Sequence, residues 1–202
     1  MWSPAQVSTV VSSYPAASTR AVDKVIDHVD HHCARFIELS PFATLATVDP
    51  DGFPDVSPRG GGPGFVRVVD EHTLALPDRQ GNNRVDSLRN LAGNPRVALM
   101  FFVPGIEETL RVYGRARLVT PAEVDADLTE FGKQPLSVTV IDVERAYFHC
   151  AKAVMRSRLW DPGAQVHRSV FPPMGQVWRE HTKAATPAQD DTEMRAELAL
   201  EL

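Results

Sequence analysis

The segment Phe42-Ala43-Thr44-Leu45-Ala46-Thr47-Val48-Asp49-Pro50-Asp51-Gly52-Phe53-Pro54-Asp55-Val56-Ser57-Pro58-Arg59 reads as a β-hairpin. Apolar and β-branched residues fill Phe42 to Val48, and Asp49-Pro50-Asp51-Gly52 is built from residues that favour turns. Asp55 to Arg59 then returns as the second strand.

Further strands follow. Val66 to Val69 and Thr73 to Leu76 form a second hairpin around Asp70-Glu71-His72. Arg96 to Val103 is a nearly continuous apolar run, which predicts a central strand buried on both faces. Leu110, Val112, Gly114, Ala116 and Leu118 alternate with Arg111, Tyr113, Arg115 and Arg117, giving a half-buried strand with a basic outer face. Salt bridges to acidic residues account for those arginines, and a dimer interface or a place near a cofactor stays open for the same face. Val138 to Phe148 supplies the last strand. Six or seven strands with few, short helices predict a mainly β fold, a small barrel with helical decoration.

The helices are punctuated by caps and breakers. A short one precedes Pro15. Val22, Val25, Ile26, Val29, Cys33, Phe36 and Ile37 share one stripe at helical spacing, which predicts a single helix ended by Pro41. Asn83 is placed to cap a helix carrying Val85, Leu88 and Leu91, with Gly93 and Pro95 as its stop. Thr120-Pro121-Ala122-Glu123 has the pattern of a helix start, with Val124, Leu128 and Phe131 as the apolar face and Gly132 as the end. Ala151 to Trp160 reads as a further short helix. The divisions predicted are an N-terminal extension (1–18), a barrel domain (19–170) and a C-terminal tail (171–202), loosely held from Lys183 onward.

Composition narrows the function classes. With 43% hydrophobic and 23% charged residues among 202, the chain can bury one good core. A net charge of -5 argues against general nucleic-acid binding. Cys33 and Cys150 are too few for a disulfide scaffold or a structural zinc site. No apolar run reaches the roughly 20 residues of a membrane span, and Met1 to Ser18 lacks the pattern of a signal peptide. A cytoplasmic setting is expected.

Two arginine-bearing segments stand out: Ser57-Pro58-Arg59-Gly60-Gly61-Gly62 and Pro77-Asp78-Arg79-Gln80-Gly81-Asn82-Asn83-Arg84. Arginine offers a planar fork matched to phosphate oxygens. Glycines let the main chain approach a flat ligand, and a helix start adds free N–H groups. The combination predicts a pocket for a phosphorylated, aromatic cofactor. Other clusters read more simply. His28, His31 and His32 are expected on a solvated helix flank, with Cys33 in the apolar stripe and no metal. His149-Cys150 is expected as a buried cysteine beside a strand-end histidine, and Trp178 as core.

These motifs, in this order, resemble the pyridoxamine 5′-phosphate oxidase-like FMN-binding split barrels, and more closely their bacterial subgroup of FMN-dependent enzymes. The carriers include Phe36 to Phe42, Asp55 to Gly60, Leu76 to Arg84, Glu108 to Ala116 and Cys150 to Trp160. The resemblance implies a six-stranded split barrel and a homodimer with FMN at the subunit interface. On it, Arg59, Asn82, Asn83 and Arg84 hold the phosphate, with Arg79 alongside. Ser57, Pro58, Pro77 and Asp78 line the ribityl chain and ring edge. Lys152, Arg156 and Trp160 come from the segment after the last strand, reaching the partner's flavin. Family oxidases carry Lys five residues after the strand arginine and an Arg-Lys pair at the helix start; here Gly64 and Arg84-Val85 stand there. The expectation is therefore an FMN-dependent oxidoreductase that passes electrons from a nicotinamide donor to a different small acceptor or to oxygen. No general acid or base stands out. A non-catalytic flavin-binding or storage protein, and a deazaflavin or haem binder on the same barrel, stay open.

Overall fold

The computed structural model describes residues 3–130, 132–183 and 190–201. Seven strands make one antiparallel sheet: β1 (Phe42–Val48), β2 (Pro54–Gly60), β3 (Arg67–Asp70), β4 (Thr73–Asp78), β5 (Arg96–Phe102), β6 (Thr109–Val119) and β7 (Ser137–His149). Their order is β2-β1-β5-β6-β7-β4-β3, so the short β3 adds a seventh strand to the six that the resemblance implies. The sheet curls around a core to which Leu45, Leu74, Leu99, Phe101, Leu110 and Ile141 contribute inward side chains. A second, smaller cluster of Ala75, Leu128, Val138 and Val140 covers the other side of β4 and β7.

The opening hairpin forms in the register that its sequence implies, with Phe42 opposite Gly60 and Val48 opposite Pro54. On β5, Val97, Leu99 and Phe101 are buried, whereas Ala98, Met100 and Phe102 are only half-buried. The expectation of burial on both faces is corrected: the outer face remains partly open. The alternation in β6 matches its reading until a bulge between Tyr113 and Gly114. There a Cβ on Gly114 would come within 2.2 Å of the Asp142 carbonyl oxygen, so only glycine fits.

The long N-terminal stripe does not make one helix. It breaks into α2 (Thr19–Asp23) and α3 (His31–Leu39), after α1 (Pro4–Ser12). Between them Ile26 exchanges backbone hydrogen bonds with Ala146 of β7, at 3.0 and 2.8 Å, which holds this stretch extended. Asp30 then caps α3 by accepting from the Cys33 N–H at 2.8 Å. Cys33, Phe36 and Ile37 face the core, and burial pushes the Cys33 thiol up to about 12. His28 falls outside α3, so His28 and His32 do not share a helix flank, and no cluster of metal-ligating residues exists among those described.

The pattern at Thr120 also stops early. Its reciprocal cap forms, yet the helix is a single turn at Pro121–Glu123. Asp127 then accepts from the Thr129 N–H at 2.9 Å, a local turn that competes with helix. Leu128 still buries, and Phe131 lies outside the described residues. Near the C-terminus, α5 (Lys152–Ser157) is shorter than expected, and Cys150 is exposed rather than buried. The polar end is helical too, with α6 (Met174–Thr182) and α7 (Asp191–Glu201), and Met194 is buried.

Gly114→Ala should lower stability by at least about 2 kcal/mol, because a backbone carbonyl cannot move aside as a side chain could. Urea denaturation measures this, and an unchanged midpoint would show that the bulge can relax.

Candidate functional site

A cleft of about 450 Å³ opens where β2, the end of β4 and the start of α4 (Asp86–Gly93) meet. Ser57, Pro58, Arg59, Pro77, Asp78, Arg79, Asn82, Asn83 and Arg84 all line it. The volume lies within the roughly 300–1,000 Å³ of small-molecule sites.

Hydrogen bonds fix the floor. Asp55 Oδ2 accepts from the Thr47 and Ser87 hydroxyls, each at 3.2 Å. Ser87 Oγ lies 3.1 Å from Ser57 Oγ, which accepts from Arg59 Nε at 3.2 Å. Arg59 Nη1 then meets Asp78 Oδ1 at 2.8 Å. At the other end, Asn90 donates to Thr47 Oγ1 at 2.9 Å and so ties α4 onto β1. Asp55, Ser87 and Asn90 were not among the expected site residues. Their signal is faint: Ser87 and Asn90 stand three apart on the helix face that buries Leu91, where apolar residues would be the rule.

The rim is strained. Asn83 and Val85 have φ of 56° and 50°, in the left-handed region that a β-branched residue rarely enters. Val85, not Asn83, occupies the cap position of α4 and provides no side-chain cap. Asn82 instead accepts from the Arg84 N–H at 3.1 Å, folding the loop back on itself. Such strain costs about 1–3 kcal/mol per residue and gathers at ligand sites.

The three arginines differ. Arg59 Nη2 and both Nη atoms of Arg84 have no protein acceptor among the described residues, since Arg84 bonds only through Nε to Asp86 at 2.8 Å. Arg79 is committed to structure. It donates to the Leu128 and Lys133 carbonyls at 2.8 and 3.3 Å and pairs with Glu130 at 3.0 Å. Glu130 also accepts from the Gly62 N–H, so the pair clamps the glycine loop against the segment after β6. Lys152, Arg156 and Trp160 do not line this cleft. Lys152 and Arg156 are exposed on or beside α5, while Trp160 Nε1 donates to the Ile106 carbonyl at 2.8 Å.

Asp55→Ala should cost about 1–3 kcal/mol, because two hydroxyl donors lose their acceptor inside the floor. A double-mutant cycle with Ser87→Ala in urea should give less than the sum of the single effects, and strict additivity would mean that the two groups act separately.

No helix among the described residues is long and apolar enough to cross a membrane. The sequence comparisons with known proteins point to one family. The sequence profile described as pyridoxamine 5′-phosphate oxidase matches residues 29–150. A pyridoxine/pyridoxamine 5′-phosphate oxidase of Rhodopseudomonas palustris is 34% identical over 90 residues, covering 45% of this chain and 39% of the relative. One of the same name from Anaeromyxobacter dehalogenans is 30% identical over 112 residues, 55% of this chain and 52% of the relative. The chain thus matches about two fifths to one half of the length of these curated relatives. Among solved structures, the conserved hypothetical protein Rv2991 of Mycobacterium tuberculosis gives a TM-score of 0.46 at 20% identity, covering 77% of this chain and 100% of that one. HupZ of Group A Streptococcus gives 0.45 at 20% identity, covering 59% and 93%. With a matched region that runs from before α3 to the end of β7, the chain belongs to the pyridoxamine 5′-phosphate oxidase family.

Proposed function

We propose that the protein is an FMN-binding oxidoreductase that passes electrons from a nicotinamide donor to a small acceptor or to oxygen. The observation that carries this reading is the pairing of Arg59 and Arg84 across one cleft, both with guanidinium N–H groups that have no protein acceptor among the described residues. That donor set fits a phosphomonoester. Asp78 holds the Arg59 fork in place while Nη2 stays available, and the Asn82 turn sets the backbone of Arg84. Asn83 adds a side-chain amide at the rim, and Ser57, Pro58 and Pro77 would face the ribityl chain and ring edge.

Bound FMN would supply the hydride and electron chemistry. The chain's own contribution is to anchor the phosphate, orient the ring against β2 and keep water from one side of it. The substrate is proposed to differ from that of the family oxidases, since Gly64 and Val85 replace the lysines expected beside the phosphate pocket.

A homodimer is proposed with it. Lys152, Arg156 and Trp160 lie away from the cleft of their own chain, on a segment that also exposes Met155, Leu159, Val170, Phe171 and Trp178. Trp178 is 51% exposed rather than in the core. Apolar residues gathered on one segment suit contact with a second copy, whose cleft they would help to cover. A cytoplasmic setting is part of the same reading.

Arg59→Ala should weaken FMN binding roughly ten- to a hundredfold, the worth of a charge-assisted hydrogen bond of about 1.5–3 kcal/mol. Calorimetric titration of cofactor-free protein measures it, and unchanged affinity removes Arg59 from the site. In the same assay riboflavin should bind at least about a hundredfold more weakly than FMN, because both arginines lose their anion. Equal affinities would end the phosphate reading. The absorbance spectrum of freshly purified protein separates flavin from deazaflavin and haem. Steady-state oxidation of NAD(P)H with added acceptors separates an enzyme from a storage protein. Sedimentation of the loaded protein should give twice the mass of one chain at micromolar concentration, and a monomer there would contradict the dimer.

A further inference from the structure

The arginine cleft holds as much negative charge as positive. Arg59, Arg79 and Arg84 line it together with Asp55, Asp78 and Asp86. Arg59 pairs with Asp78 and Arg84 with Asp86, each at 2.8 Å, while Arg79 is taken by Glu130 at 3.0 Å. Arg89 stands 3.5 Å from Asp86. Asp55 accepts from two hydroxyls and has no cation within ion-pair distance among the described residues. The arginines are thus matched by carboxylates, and the cleft offers a phosphate well-placed donors with no net positive charge to meet it.

The pair at Arg59 decides what that means. Its side chains are only 20% and 15% exposed, so the two charges meet largely out of water. Asp78 Oδ1 accepts from Nη1 and leaves Nη2 free, and Asp78 Oδ2 has no protein donor among the described residues. A phosphate that accepts from Nη2 therefore shares one planar fork with the Asp78 carboxylate, and the two anions become close neighbours. Like charges that close resist both being ionised, and a proton between them turns repulsion into a short O–H···O⁻ hydrogen bond. A phosphomonoester, whose second ionisation lies near pH 6, holds that proton better than an ordinary carboxyl group.

No further charge relieves the contact. Around Asp78, β2 brings Arg59 and Asp55, and the turn into α4 brings Arg84 and Asp86. Arg79, next along β4, is bound to Glu130 from the segment after β6. On β7, Ser137 stands opposite Asp78 in register and carries no charge.

We propose that this site takes its phosphomonoester as the monoanion, with the remaining P–OH donating to Asp78 Oδ2 while ionised oxygens accept from Arg59 and Arg84. The inference rests on the reading of the cleft as a phosphate site and adds the protonation state that the site selects. Asp78 is then a specificity residue. It admits a phosphate that keeps a proton and repels sulfate, which at neutral pH has none to donate.

Calorimetric titration of the cofactor-free protein with FMN at a series of pH values tests this. No histidine, cysteine or lysine lines the cleft, so the phosphate is the group that titrates near neutrality. Affinity should fall at least about tenfold from pH ~6.5 to ~8.5, as the monoanion becomes scarce above its pKa of about 6. Buffers of different ionisation heat should report about one proton taken up per FMN at pH ~8. A flat or rising affinity over that range overturns the proposal and leaves the phosphate reading in place. Asp78→Asn should still bind FMN but lose the pH dependence, because an amide needs no proton from the ligand, and a dependence kept in that variant also overturns it. Inorganic phosphate should displace FMN at least tenfold better than sulfate, and equal displacement counts against the proposal in the same way. FMN bound no better than riboflavin at every pH removes the phosphate reading itself, and this proposal with it. Should Asp78→Asn fail to fold, the pH profile of the unaltered protein decides.

Discussion

The geometry of the cleft depends on one carboxylate, that of Asp55. It sits on β2 between the Thr47 hydroxyl of β1 and the Ser87 hydroxyl of α4, and through them it fixes how the helix lies on the sheet. A helix docked by apolar packing alone could slide by a fraction of a turn at little cost. One docked through directional hydrogen bonds cannot, because the buried Thr47 and Ser87 hydroxyls would be left unpaired by any misalignment. The position of Arg84 relative to Arg59 is thus inherited from a polar contact that touches neither.

The same logic extends outward. Ser57 passes the order from Ser87 to Arg59, and Asp78 takes it up from the far side of the cleft. Arg79 and Glu130 form a second anchor that belongs to the loops, tying the glycine-rich turn after β2 to the segment after β6. Two networks therefore share neighbouring residues yet do different jobs. One aims a guanidinium at the cleft, and the other commits a guanidinium at its edge to the loops.

Much of this could be seen in the residues themselves, and what could not has physical causes. The strands were legible because alternation is a local property, as in Leu110 to Ala116, and the first hairpin because its turn residues leave few alternatives. Of the twelve residues expected at a cofactor site, nine line the arginine cleft, and Lys152, Arg156 and Trp160 do not. The broken N-terminal helix was not legible, because its cause, the pairing of Ile26 with Ala146, lies far away along the chain. The single turn at Pro121 has a local cause, the competing bonds of Asp127, which its helix-like apolar spacing concealed. Asn83 looked like a cap by type, yet backbone strain moved that place to Val85.

The edge strand β2 carries a proline at its start, Pro54, and another midway, Pro58. A proline has no N–H to offer, so this border of the sheet cannot be extended by a further strand in regular fashion. A sheet of seven strands that never closes fully would otherwise be open to runaway strand addition between copies. The prolines turn that border into a surface for side chains alone. Regular strand addition between copies is therefore disfavoured at this border.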